Sequence, residues 1–326
     1  MSFLPKKIIT LVTLVGAVSF GTSLARAQQA ASPYRSNESV RSDKFTGGRI
    51  ERAALVAGEP DIEITVDVPA FRLTLWQKGK EVKTYAVGVG RKDFPISIGE
   101  KQASEIIWNP DWIPPNSEWV TGRKGVKAGE VIRASDPRNP LGKLKIPLGY
   151  GYLIHQAAAP TDLGNLVSHG CIRMLRTDLY DLAEKIVAAR GLPISAKKIA
   201  NAKVTKNTVV AKLDEPLAVD INYDTQVVEG GYLHLYPDVY ERGTNTVAAL
   251  RAELESSGVD ASALDDATLK AMLARVNAKQ KYVVSVESIT AGRALADGRV
   301  LPLVGSPAAK KKVAAKKKVA AKKRAA

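Results

Sequence analysis

Hydrophobic and polar residues alternate along several short stretches of the chain. This period of two covers residues 62–68 and 71–75, and it returns at 85–89 after a turn at Gly79. Alternation of this kind, with turn residues between the segments, is typical of half-buried antiparallel strands. Further strand patterns follow in the second half, and they cover residues 217–223, 232–235 and 282–286.

A helical period is clearest over residues 177–190, where apolar residues return every three or four positions. Thr177 is predicted to cap its start, and Gly191 follows its end. Two weaker helical patterns cover residues 247–254 and 269–276. The alternation of these patterns predicts an α+β protein, which is mainly β in its first half and has a helical addition in its second half.

Differences in residue composition along the chain predict how it is divided into five parts. Residues 28–60 are polar and irregular, and residues 108–150 are rich in Pro, Gly and Asn, so that long loops of the functional kind are expected there. The predicted organisation is a targeting segment, a linker, a first domain that is mainly β with one packed helix, a smaller C-terminal α/β extension and a disordered basic tail. These cover residues 1–27, 28–60, 61–198, 199–306 and 307–326.

The residue composition excludes several classes of protein, and the positive charge lies mainly at the two ends of the chain. The chain has 326 residues, of which 45% are hydrophobic and 25% charged, and this excludes collagen, a fully disordered chain and a multi-span membrane protein. The net charge of +15 is concentrated at the ends: residues 1–27 carry +3 and residues 308–326 carry +9. The part between them is therefore nearly balanced.

The first 27 residues show the pattern of a secretory signal peptide. Lys6 and Lys7 precede an uncharged stretch over residues 8–25, and the sequence Ala-Arg-Ala ends it at Ala27. Cleavage after Ala27 is predicted, and an uncleaved membrane anchor is the alternative. The mature protein is thus expected outside the cytoplasm, in a periplasm or cell wall.

The basic tail repeats Ala-Ala-Lys-Lys-Lys-Val, so its lysines would surround a helix rather than form one face. One interpretation is a solubilising end without a partner. The other is electrostatic attachment to an anionic envelope surface. Export argues against a nucleic acid as the partner.

The chain has one cysteine, and two of its three histidines lie nearby. His155 and His169 precede Cys171 within 16 residues. A thiolate is the nucleophilic form of cysteine, and a histidine is its natural base near neutral pH. Gly170 leaves one side of the thiol open and lets backbone N–H groups face an oxyanion, while Arg173 adds positive charge. In an exported protein, a lone cysteine is either a buried residue without a chemical role or such a nucleophile.

The segment that reads SHGCIR from residue 168 to residue 173, with His155 upstream, resembles the active-site motif of the L,D-transpeptidases. These are bacterial peptidoglycan enzymes that use a cysteine and have the YkuD fold, here expected as a β-sandwich. Residues 64–76 resemble the family's opening strand pair, while residues 109–115 and 139–142 resemble its Asn-Pro-x-Trp-x-Pro-Pro and Asn-Pro-Leu-Gly elements. The likeness covers about residues 61–198.

The resemblance implies that Cys171 is the nucleophile and His155 its base. The same likeness assigns the oxyanion hole to the backbone amides of Gly170 and Cys171. The other candidate site residues are expected to shape the pocket or bind substrate: His169, Arg173, Ser168 and Tyr152. His169 is the alternative base, Ser168 is expected to be structural or a minor hydrogen-bond partner, and Tyr152, like Tyr150, lines the pocket or only packs.

The sequence departs from the family pattern in two places. Gln156 stands where many members have glycine, and residues 94–99 replace a Thr-Pro-x-Gly element. Neither change removes a reactive group, but both lie where substrate preference is set.

The reaction implied by the resemblance is acyl transfer on a peptidoglycan stem tetrapeptide. Cys171 attacks the carbonyl of the third residue, D-Ala leaves, and an amine resolves the thioester. That amine belongs to another stem peptide, giving a 3-3 cross-link, or to an envelope protein, which becomes anchored; water would give a carboxypeptidase. No cofactor or metal is expected.

The same residues leave two other classes of function open. His155, His169 and Cys171 are candidate zinc ligands of a hydrolase, although their spacing is unusual for zinc. A non-catalytic, cationic wall-binding protein is the second alternative. His234 lies on a strand pattern and is expected to be an ordinary, half-exposed strand residue.

Overall fold

The computed structural model describes residues 61–303 of the chain. The predicted signal peptide, the predicted linker and the basic tail over residues 307–326 lie outside these described residues. Within 61–303, no helix has the length and apolar character needed to cross a membrane.

The structure is mainly β. The strands are β1 Ile62–Asp67, β2 Arg72–Gln77, β3 Lys80–Ala86, β4 Val89–Gly90, β5 Gly99–Trp108, β6 Leu144–Pro147, β7 Leu153–Gln156, β8 Leu166–Ser168, β9 Ile172–Met174, β10 Val209–Asn222, β11 Gln226–Glu229, β12 Tyr232–Leu235, β13 Gln280–Ser285 and β14 Arg299–Pro302. The helices are α1 Glu118–Thr121, α2 Arg176–Ala189, α3 Ala196–Val204, α4 Val247–Ser256, α5 Asp266–Leu273, α6 Val286–Thr290 and α7 Ala294–Asp297.

Eight strands form the largest sheet, in the order β3-β2-β1-β10-β5-β6-β7-β9. The predicted antiparallel pairing is correct for β1 with β2 and for β2 with β3. Two other pairs of this sheet, for which no pairing was predicted, are parallel: β1 with β10 and β7 with β9. Both parallel partners arrive through long connections, which alternation within one strand cannot reveal.

Helix α2 confirms the clearest helical pattern. Its buried residues share one face: Leu179, Leu182, Ala183, Ile186 and Val187. This face joins the core formed by the large sheet. The predicted cap is wrong, because the residue at the start of the helix is Leu175, which offers no side-chain hydrogen bond, and Thr177 already lies within the helix.

A second, smaller sheet has the order β11-β12-β13-β14. Helices α4 to α7 cover it and share a separate hydrophobic core with it. These elements are the predicted C-terminal α/β extension. The large sheet nevertheless continues past residue 198, the predicted end of the first domain, because β10 lies between β1 and β5.

The predicted long loops form a lobe over residues 109–143, which we call the loop lobe. It contains only α1 and an isolated bridge between Trp112 and Ile132. Its own small core consists of Trp112, Val120, Val126, Ile132 and Leu141. Asn109 starts the lobe with a φ of 48°, and its side-chain amide donates to the carbonyl of Ala202 at 2.7 Å, which ties the lobe to α3.

Candidate active site

Strands β7 and β9 bring the predicted nucleophile and its predicted base to the same face of the sheet. In their parallel register Ile154 is opposite Ile172, and His155 is opposite Arg173. The two isoleucines face the core. Because side chains alternate along a strand, His155, Arg173 and Cys171, which directly precedes β9, project to the other face. Residues 16 positions apart in the chain thus lie on one face of two adjacent strands, with Cys171 level with Leu153, two positions before His155.

His155 is buried, with only 4% of its surface exposed. Burial lowers the pKa of His155 to about 4, and the positive charge of Arg173 acts in the same direction. The nearby backbone of Gln156 and Leu141 opposes this shift. Its Nδ1 atom makes no hydrogen bond of normal geometry within residues 61–303. The imidazole is therefore neutral near pH 7, which is the form that can accept a proton.

Cys171, the predicted nucleophile, is partly exposed. Burial raises the pKa of its thiol above the ordinary value, while the backbone of Leu153 and the charge of Arg173 lower it. Arg173 is itself held by Asp162, whose carboxylate oxygen lies 3.0 Å from the guanidinium. The resting state that follows has a neutral thiol and a neutral imidazole on the same face of the sheet, so a nucleophilic reaction of the thiol would require a base.

Ser168 closes the turn that carries Cys171. Its hydroxyl donates to the carbonyl of Cys171 at 2.6 Å and accepts from the amide of Gly170 at 3.2 Å. Only glycine fits at position 170, because its φ is 108° and a Cβ would lie 2.9 Å from the ring of Tyr152. The amide of Gly170 is already used, so its predicted role as an oxyanion donor requires release of this bond.

His169 lies in an aromatic stack on the other side of the turn. Its ring is 4.3 Å from that of Trp119, with 14° between the planes, and Phe94 meets it edge-on at 4.8 Å. Trp112 extends the stack at 6.1 Å from Trp119. Burial lowers the pKa of His169, and the charge of Arg91 adds to the effect. His169 is therefore part of an aromatic cluster with Trp119, Phe94 and Trp112, which we call the wall.

Tyr152 contacts Gly170, as described above, whereas Tyr150 is 84% exposed. The departure at Gln156 has a structural cause. Its side-chain oxygen accepts from the amide of Lys143 at 2.9 Å, and Gly142, with a φ of 71°, has no room for a Cβ beside it. Gln156 therefore fixes the end of the loop lobe.

Sequence reasoning missed Trp119 and Asp162 as neighbours of the site, whereas Phe94 lies in segment 94–99, which was expected to affect substrate preference. Trp119 was within reach, since it is one of four tryptophans and lies in a loop expected to be functional. Asp162 belongs to no recognised motif, although only 11 positions separate it from Arg173.

The remaining candidates lie elsewhere or do not assemble. His234 is on β12 of the smaller sheet, where its Nδ1 is 3.3 Å from the ammonium of Lys281. Over the part of the chain that the structure describes, no three His, Cys, Asp or Glu side chains come together as a group able to hold a metal.

Comparison with known proteins identifies relatives of the first half of the structure. Residues 61–210 match the family model for YkuD, the L,D-transpeptidase catalytic domain. The probable L,D-transpeptidase YbiS of Escherichia coli K12 is 29% identical over 126 residues, which are 38% of this chain and 41% of YbiS. The probable L,D-transpeptidase YcfS of the same strain is 26% identical over 186 residues, which are 53% and 56% of the two chains.

The chain spans about half the length of the curated relatives it matches. Among solved structures, the catalytic domain of an L,D-transpeptidase from E. faecium is 16% identical, with a TM-score of 0.32. That match covers 50% of this chain and 98% of the other.

Proposed function

Residues 61–210 of this chain belong to the YkuD family of L,D-transpeptidase catalytic domains, and from this premise we propose that the protein is an L,D-transpeptidase that acylates Cys171. The donor is a peptidoglycan stem tetrapeptide, which loses its terminal D-Ala. The acyl group then passes to an amine. The observation that carries the proposal is the shared face on which β7 and β9 place Cys171, His155 and Arg173.

In the acylation step, neutral His155 takes the proton of the thiol as sulfur attacks the carbonyl carbon of the third stem residue. A tetrahedral intermediate forms, and its oxyanion is received at the start of β9, where the amide of Cys171 and the charge of Arg173 lie. The C–N bond to D-Ala then breaks, and His155 returns the proton to the leaving amine. A thioester on Cys171 remains.

In the second step, an acceptor amine attacks the thioester and gives its proton to His155. The C–S bond breaks, and the thiolate regains that proton. A stem-peptide side chain as acceptor gives a 3-3 cross-link, an envelope protein gives an anchored protein, and water gives carboxypeptidase activity. His169 and Tyr152 border the turn with Cys171, and we assign them to substrate binding.

The resting electrostatics support a base-assisted route over a preformed ion pair. Burial raises the pKa of the Cys171 thiol and lowers that of His155, so each shift favours the neutral form. A neutral pair costs less to bury than two charges. Charge then develops only as the substrate carbonyl is attacked, when Arg173 and the backbone amides can stabilise it.

The test is product analysis with the purified protein lacking residues 1–27. Incubation with a stem tetrapeptide should release D-Ala and, with added amine, give the transfer product. Imipenem should add to Cys171, as the family resemblance implies, and mass spectrometry locates the adduct. Cys171→Ala should lose both reactions and keep the fold. An intact protein that releases no D-Ala and forms no adduct would support the non-catalytic wall-binding alternative.

Location and partners complete the proposal. We infer export to the periplasm or cell wall from the signal pattern over residues 1–27. The tail over 308–326 holds eight lysines and Arg324 without an acid, and we propose that it binds an anionic envelope surface at about 1 kcal/mol per basic residue. Deleting it should leave turnover of soluble stem peptides unchanged and weaken retention on isolated envelope, most at low salt. Retention that does not depend on salt would remove this account.

A further inference from the structure

A loop of the C-terminal extension reaches the catalytic turn. This loop, residues 236–244, follows β12 and lies outside the part of the chain that matches the family model. Its Tyr240 hydroxyl donates to the carbonyl of Gly90 at 3.1 Å and accepts from the amide of Ile96 at 3.3 Å. One side chain therefore joins both ends of the segment 90–96.

That segment packs directly on the turn with the thiol. A Cβ at Gly90 would lie 3.0 Å from the Cα of Gly170 and 2.3 Å from the carbonyl oxygen of Phe94. The amide of Arg91 donates to the carbonyl of Ser168 at 2.9 Å. A shift of the segment toward the turn would therefore press on Gly170, and a shift away from it would stretch the hydrogen bond to Ser168.

Tyr240 is held rigidly by its own neighbours. Its amide donates to the hydroxyl of Tyr223 at 2.6 Å, and the two rings stack at 5.4 Å. The guanidinium of Arg242 lies over both rings, at 4.6 Å and 5.7 Å. The Tyr223 hydroxyl in turn donates to Asp238 at 2.6 Å. Burial raises the pKa of Tyr240 to about 12, so its hydroxyl keeps the proton it donates.

We propose that Tyr240 is a positioning residue of the active site, through which the extension fixes segment 90–96 and thereby the orientation of Cys171. The inference rests on the proposed acyl transfer. Tyr240 does not touch the reacting atoms. Its contribution is to hold the turn where the thiol meets the substrate carbonyl, and a small displacement there is costly to rate.

The experiment compares Tyr240→Phe with Tyr232→Phe in the protein lacking residues 1–27. Tyr232 is a matched control, because it lies in the same extension and is 49% exposed. Acylation of Cys171 by imipenem is followed over a range of concentrations. Thermal unfolding and alkylation of the single thiol by iodoacetamide are measured in parallel. Tyr223→Phe is the second variant, one hydrogen bond farther from the site.

The expected result for Tyr240→Phe is a maximal acylation rate reduced by roughly tenfold, with a nearly unchanged apparent affinity. Its unfolding temperature and alkylation rate should stay near those of Tyr232→Phe. Tyr223→Phe should show a smaller loss of the same kind. A lower maximal acylation rate at unchanged apparent affinity indicates that Tyr240 positions the thiol, whereas a lower apparent affinity would indicate that it contributes to binding of imipenem.

Two results would overturn the inference. One is acylation by Tyr240→Phe equal to that of the control. The other is a fall in acylation that parallels a fall in unfolding temperature in both variants, since this marks a merely structural role. Failure of the wild-type protein to be acylated would instead overturn the proposed function, and the variants are not needed to recognise that outcome.

Discussion

The two sides of Cys171 carry one histidine each, and the two histidines are held in different ways. His155 belongs to strand β7 of the main sheet, is buried, and lies opposite Arg173 on the neighbouring strand β9. His169 belongs to a turn and is held by ring contacts with Trp119 and Phe94. Burial is the main cause of the lowered pKa in both cases, but only His155 is taken as far as about 4.

Under the proposed mechanism, this difference distinguishes the proton acceptor, His155, from the aromatic surface that contains His169. A general base must be neutral before the reaction and must hold its geometry while charge develops, and a buried imidazole on a strand meets both conditions. A half-exposed ring in an aromatic stack offers shape and an apolar surface to a substrate. The comparison therefore predicts unequal losses when each side is altered.

The largest effect on acylation is expected when His155, on strand β7, is replaced. His155→Ala should slow acylation by imipenem by about two to four decades, since a general base contributes this much. His169→Ala should cost at most about tenfold, in line with the loss of one aromatic contact. Stopped-flow measurement of acylation under single-turnover conditions gives both numbers.

The matched pair also contains its own control, since each variant removes one imidazole, from the strand in one case and from the turn in the other. Thermal unfolding should be recorded for both, because His155 is the more buried of the two. A larger rate loss for His169→Ala than for His155→Ala, in folded proteins, would exchange their roles.

The pH dependence gives the next largest effect. A base with a pKa of about 4 loses activity only when the pH falls through 4, because protonation below that value removes the acceptor. At pH 5 its neutral fraction is still about nine-tenths, whereas an ordinary histidine of pKa about 6.5 would have lost roughly 30-fold. Acylation rates from pH 4 to 8, with folding checked at each pH, should therefore change little between pH 5 and 7. An acid limb centred near pH 6.5 would contradict the buried, neutral His155.

The sequence indicated the strand side better than the turn side. Alternation over residues 62–75, the helical period before Gly191 and the motif around Cys171 are local patterns, and each corresponds to an element of the structure. The parallel pairing of β7 with β9 is not local, yet the family motif that contains His155 and Cys171 predicted one site for both, and the register puts them on one face of the sheet.

The stack and the tyrosine contact could not be predicted in this way. Trp119 meets His169 across 50 positions of the chain, and Tyr240 meets Gly90 across 150. Neither pair has a periodic or motif signature, since such contacts depend on how loops fold onto the sheet. The sheet position of β10 was missed for the same reason.

A smaller effect is expected when the wall alone is changed. Trp119→Leu removes the ring that stacks on His169, and an aromatic pair is worth about 0.5–1.5 kcal/mol. The apparent affinity for imipenem should fall by up to about tenfold, with a maximal acylation rate near the wild-type value. Trp76→Leu is the control, since Trp76 lies on β2 and bonds only to Thr65 through its indole N–H, at 2.9 Å. A maximal rate reduced as strongly as in His155→Ala would show that the wall also positions the base.

The smallest effect is expected at Ser168, whose hydroxyl makes two hydrogen bonds within the turn that carries Cys171. Ser168→Ala removes the hydrogen bonds to the carbonyl of Cys171 and from the amide of Gly170, so the turn loses about 1 kcal/mol and acylation should fall about fivefold. Ser256→Ala, in an exposed helix end, is the control. The sign of the change decides a further question, because the same substitution frees the Gly170 amide. A faster reaction than in the wild type would mean that this amide is a better oxyanion donor than a partner of Ser168, and that the serine restrains the site.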